Sequence, residues 1–173
     1  MKKILDVCCG GRSFWYDKKN ENTIYMDIRK DSIQLCDGRQ FIIEPDIIAD
    51  FQNIPFPDES FYLVVFDPPH LIYAGQDSWL AQKYGTLKKN WQEQLKKGFN
   101  ECMRVLKKNG SLIVKWNEEQ ISFNDIQKLI GKPLLAIGEA RRAGQFILKQ
   151  KIILKHKKAL ILFFLDFQGA SRS

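Results

Sequence analysis

The chain contains 173 residues, of which 45% are hydrophobic, enough apolar material for one compact domain but too little for two. No apolar run approaches the roughly 18 residues of a membrane-spanning helix, since the longest covers only residues 159–165. An acid at position 6 interrupts the N-terminus too early for the apolar stretch of a signal peptide. We therefore expect a soluble, cytoplasmic protein that does not act at a membrane.

Short apolar runs bounded by turn residues recur along the chain and predict strands at 4–7, 23–26, 47–49, 63–66 and 112–114. Most are too continuous for half-exposed strands, so they indicate a largely parallel sheet buried on both faces. Apolar spacing predicts a helix over 90–106 that ends at Asn109-Gly110, and Ser122 followed by Asp125 predicts another helix start. The alternation predicts an α/β fold: a Rossmann-like, doubly wound, mostly parallel sheet with helices on both faces.

The first strand ends at Asp6 and leads into a turn that contains Cys8, Gly10 and Gly11. This turn lacks the G-x-G-x-x-G spacing with which dinucleotide-binding proteins place backbone amides around a pyrophosphate. A carboxylate at its mouth would repel a pyrophosphate, whereas it favours a cofactor that carries positive charge. The turn therefore argues against a dinucleotide.

Acids also follow the next two strands. Asp27 lies where an acid accepts hydrogen bonds from ribose hydroxyls in Rossmann-like sites. Asp50 can accept from an adenine amino group, and the neighbouring Phe51 ring can pack on the base. Each aspartate could instead cap a turn or a helix, but three in order after a glycine-containing turn predict a cofactor site.

The fourth strand closes with Asp67-Pro68-Pro69-His70. Two consecutive prolines remove two backbone donors and fix φ, which leaves the Asp67 carboxylate and the Pro68 carbonyl as rigid acceptors. Such acceptors suit a substrate N–H group, and an acceptor-rich corner is costly unless something donates to it. The alternative is a rigid strand exit in which Asp67 caps the next turn.

Aromatic and basic residues mix between positions 71 and 91, a composition suited to gripping an unstacked nucleotide. The candidates for substrate binding are Tyr73, Trp79 and Tyr84. Each of these rings could equally be a packing residue.

The four cysteines, Cys8, Cys9, Cys36 and Cys102, have no CxxC spacing and predict free thiols. With irregular cysteine spacing and only two histidines in the chain, we expect no metal site.

The net charge of +7 comes from residues 132–173, which hold nine basic and two acidic side chains, whereas the charges of 1–131 cancel. We expect 1–131 to form the core and 132–173 to be an atypical basic segment. Three explanations stay open for it: the last strands of the same domain, over 133–137 and 146–154; an accessory element for nucleic acid or a membrane surface; or a reading frame disturbed near Gly138.

Residues 3–116 resemble the class I S-adenosylmethionine-dependent methyltransferases, and 67–70 resembles the [DN]-P-P-[YFW] sequence of those that methylate amino groups. Residues 55–61 and 105–112 are similar to the family's segments before its fourth and fifth strands. The resemblance implies S-adenosyl-L-methionine as the cofactor, bound by Asp6, Cys8, Gly10, Gly11, Asp27, Asp50 and Phe51. It implies catalysis by Asp67, Pro68, Pro69 and His70.

His70 departs from the family, which has an aromatic ring there that stacks on a flipped base, and histidine supplies less stacking area. The implied reaction is attack of a nitrogen lone pair on the sulfonium methyl group, with an exocyclic amino group of DNA or RNA as the expected acceptor. Nucleic acid is accordingly the expected partner. The alternatives are a methyltransferase for a protein or small molecule, or a catalytically silent nucleic-acid-binding module.

Overall fold

The computed structural model describes residues 2–35, 38–75, 78–131, 135–137 and 150–156. Cys36, Gly138 and most of the basic segment lie outside these residues, so the explanations proposed for that segment stay predictions. Within the described part of the chain, no helix is long and apolar enough to cross a membrane.

In these described ranges, seven strands form one sheet, and two more form a separate antiparallel hairpin. The strands of the sheet are β1 (Ile4–Asp6), β2 (Thr23–Asp27), β5 (Ile47–Ile48), β6 (Phe61–Phe66), β7 (Leu106–Asn117), β8 (Leu135–Ile137) and β9 (Gln150–His156). The hairpin consists of β3 (Asp31–Gln34) and β4 (Gln40–Ile43). The order across the sheet is β5-β2-β1-β6-β7-β9-β8, with β9 antiparallel to both of its neighbours.

The predicted fold class is confirmed: the sheet is mostly parallel and Rossmann-like. β1 and β6 pair side by side at its centre, and the chain winds outward from them in opposite directions. Leu5, Val64, Val65 and Leu112 are almost fully buried in these strands, as the continuous apolar runs predict. β8 and β9 form an antiparallel pair that overlaps the ranges predicted for the last two strands.

Three helices lie among the described residues: α1 (Trp79–Tyr84), α2 (Trp91–Val105) and α3 (Phe123–Ile130). α2 presents its apolar face to β6 and β7, and α3 packs on α2. Ser122 caps α3 by accepting a hydrogen bond from the Asp125 N–H at 3.2 Å, as predicted. The β1–β2 and β2–β5 connections differ from an ideal doubly wound sheet, since their described residues form turns and the β3–β4 hairpin instead of helices.

The expectation that Asn109-Gly110 ends the long helix is wrong. α2 ends at Val105, and Asn109 adopts a left-handed φ of 65° inside β7. The pairing of β6 with β7 shifts register at this point. A Cβ at Gly110 would lie 2.9 Å from the Tyr62 carbonyl oxygen. The turn residues therefore serve a bulge within a strand, where close backbone approach requires glycine.

Gly98 in α2 allows the Phe51 ring to pack against the helix, because a Cβ at position 98 would overlap that ring and lie 3.1 Å from Phe66 Cζ. Replacing a helix-interior glycine by alanine ordinarily stabilises a helix by about 1 kcal/mol. We expect Gly98→Ala instead to destabilise the fold by about 1–3 kcal/mol through overpacking. Urea denaturation checks this, with Asn100→Ala at an exposed position of the same helix as control. Equal stability of the two variants would contradict the packing argument.

Candidate active site

A cleft of about 1040 Å³ opens beyond the carboxyl ends of the parallel strands, where the winding of the sheet reverses. Ligands bind at this place in open α/β sheets. The predicted site residues that line it are Asp6, Cys8, Gly10, Gly11, Asp27, Asp50, Phe51, Asp67, Pro69 and Tyr84. The predicted residues outside its lining are Pro68, His70, Tyr73 and Trp79.

Asp6 is buried at the end of β1, with only 1% of its surface exposed. Its Oδ2 accepts a hydrogen bond from the Trp15 indole N–H at 2.6 Å, while Oδ1 has no partner among the described residues. Burial raises the pKa of this carboxyl to about 7, against the lowering effect of the Trp15 hydrogen bond, and the nearby Asp67 charge adds to the rise. The cleft floor therefore holds a carboxyl group that has no cationic partner in the described part of the chain.

This raised pKa makes the stability of the protein depend on pH. The folded protein keeps the Asp6 proton between about pH 4 and pH 7, where the unfolded chain has lost it, so this contribution to stability falls as the pH rises. Asp6→Asn retains an acceptor for the Trp15 N–H but does not titrate. Between pH 4 and pH 7 we expect its free energy of unfolding to rise by up to about 4 kcal/mol relative to that of wild type. Urea denaturation at pH 4 to 8 measures the difference, and parallel curves would contradict it.

Cys8, Gly10 and Gly11 form the turn after β1 at the cleft wall. Burial raises the pKa of the Cys8 thiol well above its usual range, so this side chain is a neutral packing group and not a nucleophile. Gly10 has a left-handed φ of 48° with open space around its Cα, and a Cβ at Gly11 would lie 2.5 Å from the Phe41 ring. The two glycines therefore permit a tight turn that leaves room in the cleft.

Asp27 is buried at the end of β2 and already accepts hydrogen bonds from its own chain. The Gly10 N–H donates to Oδ2 at 2.9 Å, and Arg29 donates to Oδ1 from its backbone N–H at 3.0 Å and from Nε at 3.4 Å. The Arg29 guanidinium also donates to the carbonyls of Gln82 at 2.8 Å and Lys83 at 3.5 Å, at the end of α1. The predicted ribose acid is thus connected to the helix across the cleft.

Asp50 and Phe51 follow β5, and both line the cleft. Asp50 Oδ1 accepts hydrogen bonds from the Gln52 backbone N–H at 2.8 Å and from its side-chain amide at 3.3 Å. Phe51 is half-buried, with its ring edge-on to Phe66 at 5.6 Å. Asp50 therefore stabilises a turn, which is the alternative role considered for it in the sequence, and it also faces the cleft.

Asp67 at the end of β6 forms an ion pair with Lys115, whose Nζ donates to Oδ2 at 2.6 Å. Burial raises the Asp67 pKa, and the Lys115 ammonium opposes this rise. Lys115 lies in the cleft but was missed at the sequence level. A signal was present, because a lysine between the buried residues Val114 and Trp116 is unusual in a central strand.

The structure places His70 away from the cleft, contrary to the expectation of a ring that faces a substrate. His70 is buried against Tyr84, with ring centroids 5.3 Å apart, and burial lowers its pKa to about 4. The ring is therefore neutral and supports Tyr84, which does line the cleft. Pro68 is buried, and Tyr73 is exposed in the loop before α1. Trp79 is exposed because α1 buries no side chain.

The described residues contain no group of three or more histidine, cysteine, aspartate or glutamate side chains that could hold a metal ion. The expectation of no metal site stays a prediction for the whole chain.

Comparison with known proteins finds similarity at the level of structure. No family model and no curated protein match the sequence. The PH0226 protein from Pyrococcus horikoshii OT3 is similar over 90% of this chain and 82% of its own, with 14% identity and a TM-score of 0.58. A SAM-dependent methyltransferase from Clostridium acetobutylicum is similar over 90% and 84%, with 13% identity and a TM-score of 0.52. Another from Methanosarcina mazei is similar over 91% and 95%, with 11% identity and a TM-score of 0.52. The chain therefore has the fold of the S-adenosylmethionine-dependent methyltransferases.

Proposed function

We propose that this protein is an S-adenosylmethionine-dependent N-methyltransferase that acts on an exocyclic amino group of DNA or RNA. One observation carries the proposal: four aspartates that end or closely follow parallel strands, Asp6, Asp27, Asp50 and Asp67, line a single cleft at the switch point of a methyltransferase fold. The fold alone is compatible with many chemistries. The arrangement of acids in the cleft favours a cofactor with a ribose and a positive charge.

The described residues fit such a cofactor. The buried Oδ1 of Asp6 lacks a partner among them, and Asp27 Oδ2 accepts one hydrogen bond where it has capacity for two. Asp27 would hold the ribose hydroxyls, the turn at Gly10 and Gly11 would admit the methionine part, and Phe51 would contact the adenine. When bound, S-adenosylmethionine supplies a methyl group on a positively charged sulfur.

Asp67 is the residue proposed to act on the substrate. Its carboxylate accepts an N–H of the amino group and so holds the nitrogen with its lone pair free for in-line attack. The cofactor would supply the methyl group without its bonding electrons, and Asp67 or water would accept the proton that the methylated nitrogen loses. The Tyr84 ring, supported by His70, is one stacking surface that the cleft offers to a base.

Calorimetric titration with S-adenosylmethionine, followed by tritiated methyl transfer into DNA, RNA and protein pools, tests the proposal. We expect saturable binding of the cofactor and incorporation into nucleic acid. Absence of binding by the folded protein would instead favour a catalytically silent nucleic-acid-binding module.

A protein side chain or a small-molecule amine is the second candidate substrate. The position of His70 favours it, because the tetrapeptide at 67–70 presents no ring of its own to a flipped base. Incorporation of tritium into the protein or small-molecule pool, with none in nucleic acid, would establish this alternative.

A further inference from the structure

The ion pair between Lys115 and Asp67, the residue proposed to act on the substrate, lines the cleft. Lys115 lies in β7, and Asp67 directly follows β6, the strand that pairs with β7. The exposed fraction is 17% for the Lys115 side chain and 26% for the Asp67 side chain. Lys115 Nζ donates to Asp67 Oδ2, and the described residues give Nζ no second acceptor and Asp67 Oδ1 no donor. The pair therefore offers a ligand one free acceptor oxygen beside free ammonium N–H groups.

The charge of this pair bears on what it can bind. A lone buried carboxylate would stabilise the protonated form of an aliphatic amine, which has no lone pair to attack with. The ammonium at 2.6 Å cancels that charge, so the pair is close to neutral as a whole. The ion pair presents an acceptor, Asp67 Oδ1, beside a donor, Lys115 Nζ. It therefore complements an uncharged substrate that carries an N–H donor next to an acceptor atom. Amino groups conjugated to an aromatic ring are uncharged at neutral pH.

We propose that Lys115 is a specificity-determining residue that donates a hydrogen bond to the ring nitrogen next to the reacting amino group. Asp67 Oδ1 then accepts from the amino group itself, so the two side chains together read an H₂N–C=N edge. Adenine and cytosine both present such an edge on their Watson–Crick side. The inference rests on the proposed function and narrows its substrate class to nucleobases with this edge.

Oligonucleotides that lack only the ring nitrogen provide the test. Single strands containing adenine or 1-deazaadenine, and cytosine or 3-deazacytosine, keep the amino group but replace the acceptor by C–H. Loss of the ring nitrogen makes the amino group more electron-rich, so slower transfer reports a lost contact and not weaker nucleophilicity. We expect kcat/KM of wild type to fall about tenfold or more on the deaza strand, in line with one lost hydrogen bond of a charged group.

The variant Lys115→Met separates this contact from a general defect. We expect it to methylate the natural base as slowly as wild type methylates the deaza base, with little further loss on the deaza strand, because the two changes remove the same interaction. Lys115→Arg should restore part of the discrimination. If Lys115→Met discriminated as strongly as wild type, or wild type did not discriminate at all, the inference would be wrong.

The pH dependence of kcat/KM gives a second readout that a merely structural role would not move. The charged or titratable side chains of Lys115, which is on β7, and Asp6, which is on β1, face Asp67. His70 lies nearby and is neutral. Lys115→Met removes the ammonium and should raise the Asp67 pKa further. Because the activity needs the ionised carboxylate, kcat/KM of this variant should begin to fall at a higher pH than kcat/KM of wild type when the solution is acidified. If the acidic side of the pH profile were the same in Lys115→Met and wild type, the proposed role of the ion pair would be wrong. Cofactor binding with transfer to neither base would overturn the substrate class alone, whereas absence of cofactor binding would overturn the proposed function as well.

Discussion

Asp67→Ala is expected to lower methyl transfer about 10³-fold while the protein still binds S-adenosylhomocysteine. The carboxylate is the group proposed to hold the attacking nitrogen, and loss of one preorganised hydrogen-bonding group in an active site costs about 10²–10³ in rate. Single-turnover transfer of a tritiated methyl group measures the rate, and calorimetry with S-adenosylhomocysteine measures binding. Wild-type turnover in Asp67→Ala would contradict the acceptor role.

The ion pair supplies the control for this prediction. Asp67→Ala alone leaves the Lys115 ammonium without its partner, although only 17% of the Lys115 side chain is exposed. Removing one partner of such a largely buried ion pair destabilises the folded protein. The double variant Asp67→Ala/Lys115→Met removes both charges and should regain stability against urea without regaining transfer. If the double variant regained transfer, the defect of the single variant would come from the unpaired charge and not from the missing acceptor.

Those parts of the site that depend on strand topology could be predicted from the sequence. Asp6, Asp27 and Asp67 each end or follow a continuous apolar run, and parallel strands bring their carboxyl ends to one edge of the sheet. The β3–β4 hairpin had no such signal, because its strands are short and mostly exposed. Local apolar pattern thus predicts the central sheet and the acids at its edge, but not the polar segments that cover it.

Contacts between distant parts of the chain could not be predicted in the same way. Lys115 meets Asp67 across 48 residues, and the Arg29 side chain reaches the end of α1 across more than 50. His70 turns into the protein because Tyr84 packs on its ring, a contact that follows from the position of α1 and not from the sequence around the prolines. Pairings of this kind depend on tertiary packing, which overrides local expectation.

The second large effect is expected at Asp27. Asp27→Ala should weaken binding of S-adenosylhomocysteine about 100-fold, because hydrogen bonds to a buried charged acceptor contribute about 1.5–3 kcal/mol and about 1.4 kcal/mol corresponds to a tenfold change in affinity. The matched control is Asp31→Ala, which removes an exposed carboxylate from the wall of the same cleft. We expect the control to bind as wild type does in calorimetry.

Arg29 distinguishes a ribose contact from a structural role of Asp27. Arg29→Gln keeps the Asp27 carboxylate and its bond from Gly10 but removes the Nε bond and the guanidinium link to α1. If Asp27 binds ribose directly, this variant should bind the cofactor at least as tightly as wild type, since Oδ1 loses a competing donor. If Asp27 only anchors α1 through Arg29, the variant should lose as much affinity as Asp27→Ala. If Asp27→Ala and Arg29→Gln lost the same affinity for the cofactor, a direct contact between Asp27 and the ribose would be contradicted. A loss of affinity in Asp27→Ala alone would support that contact.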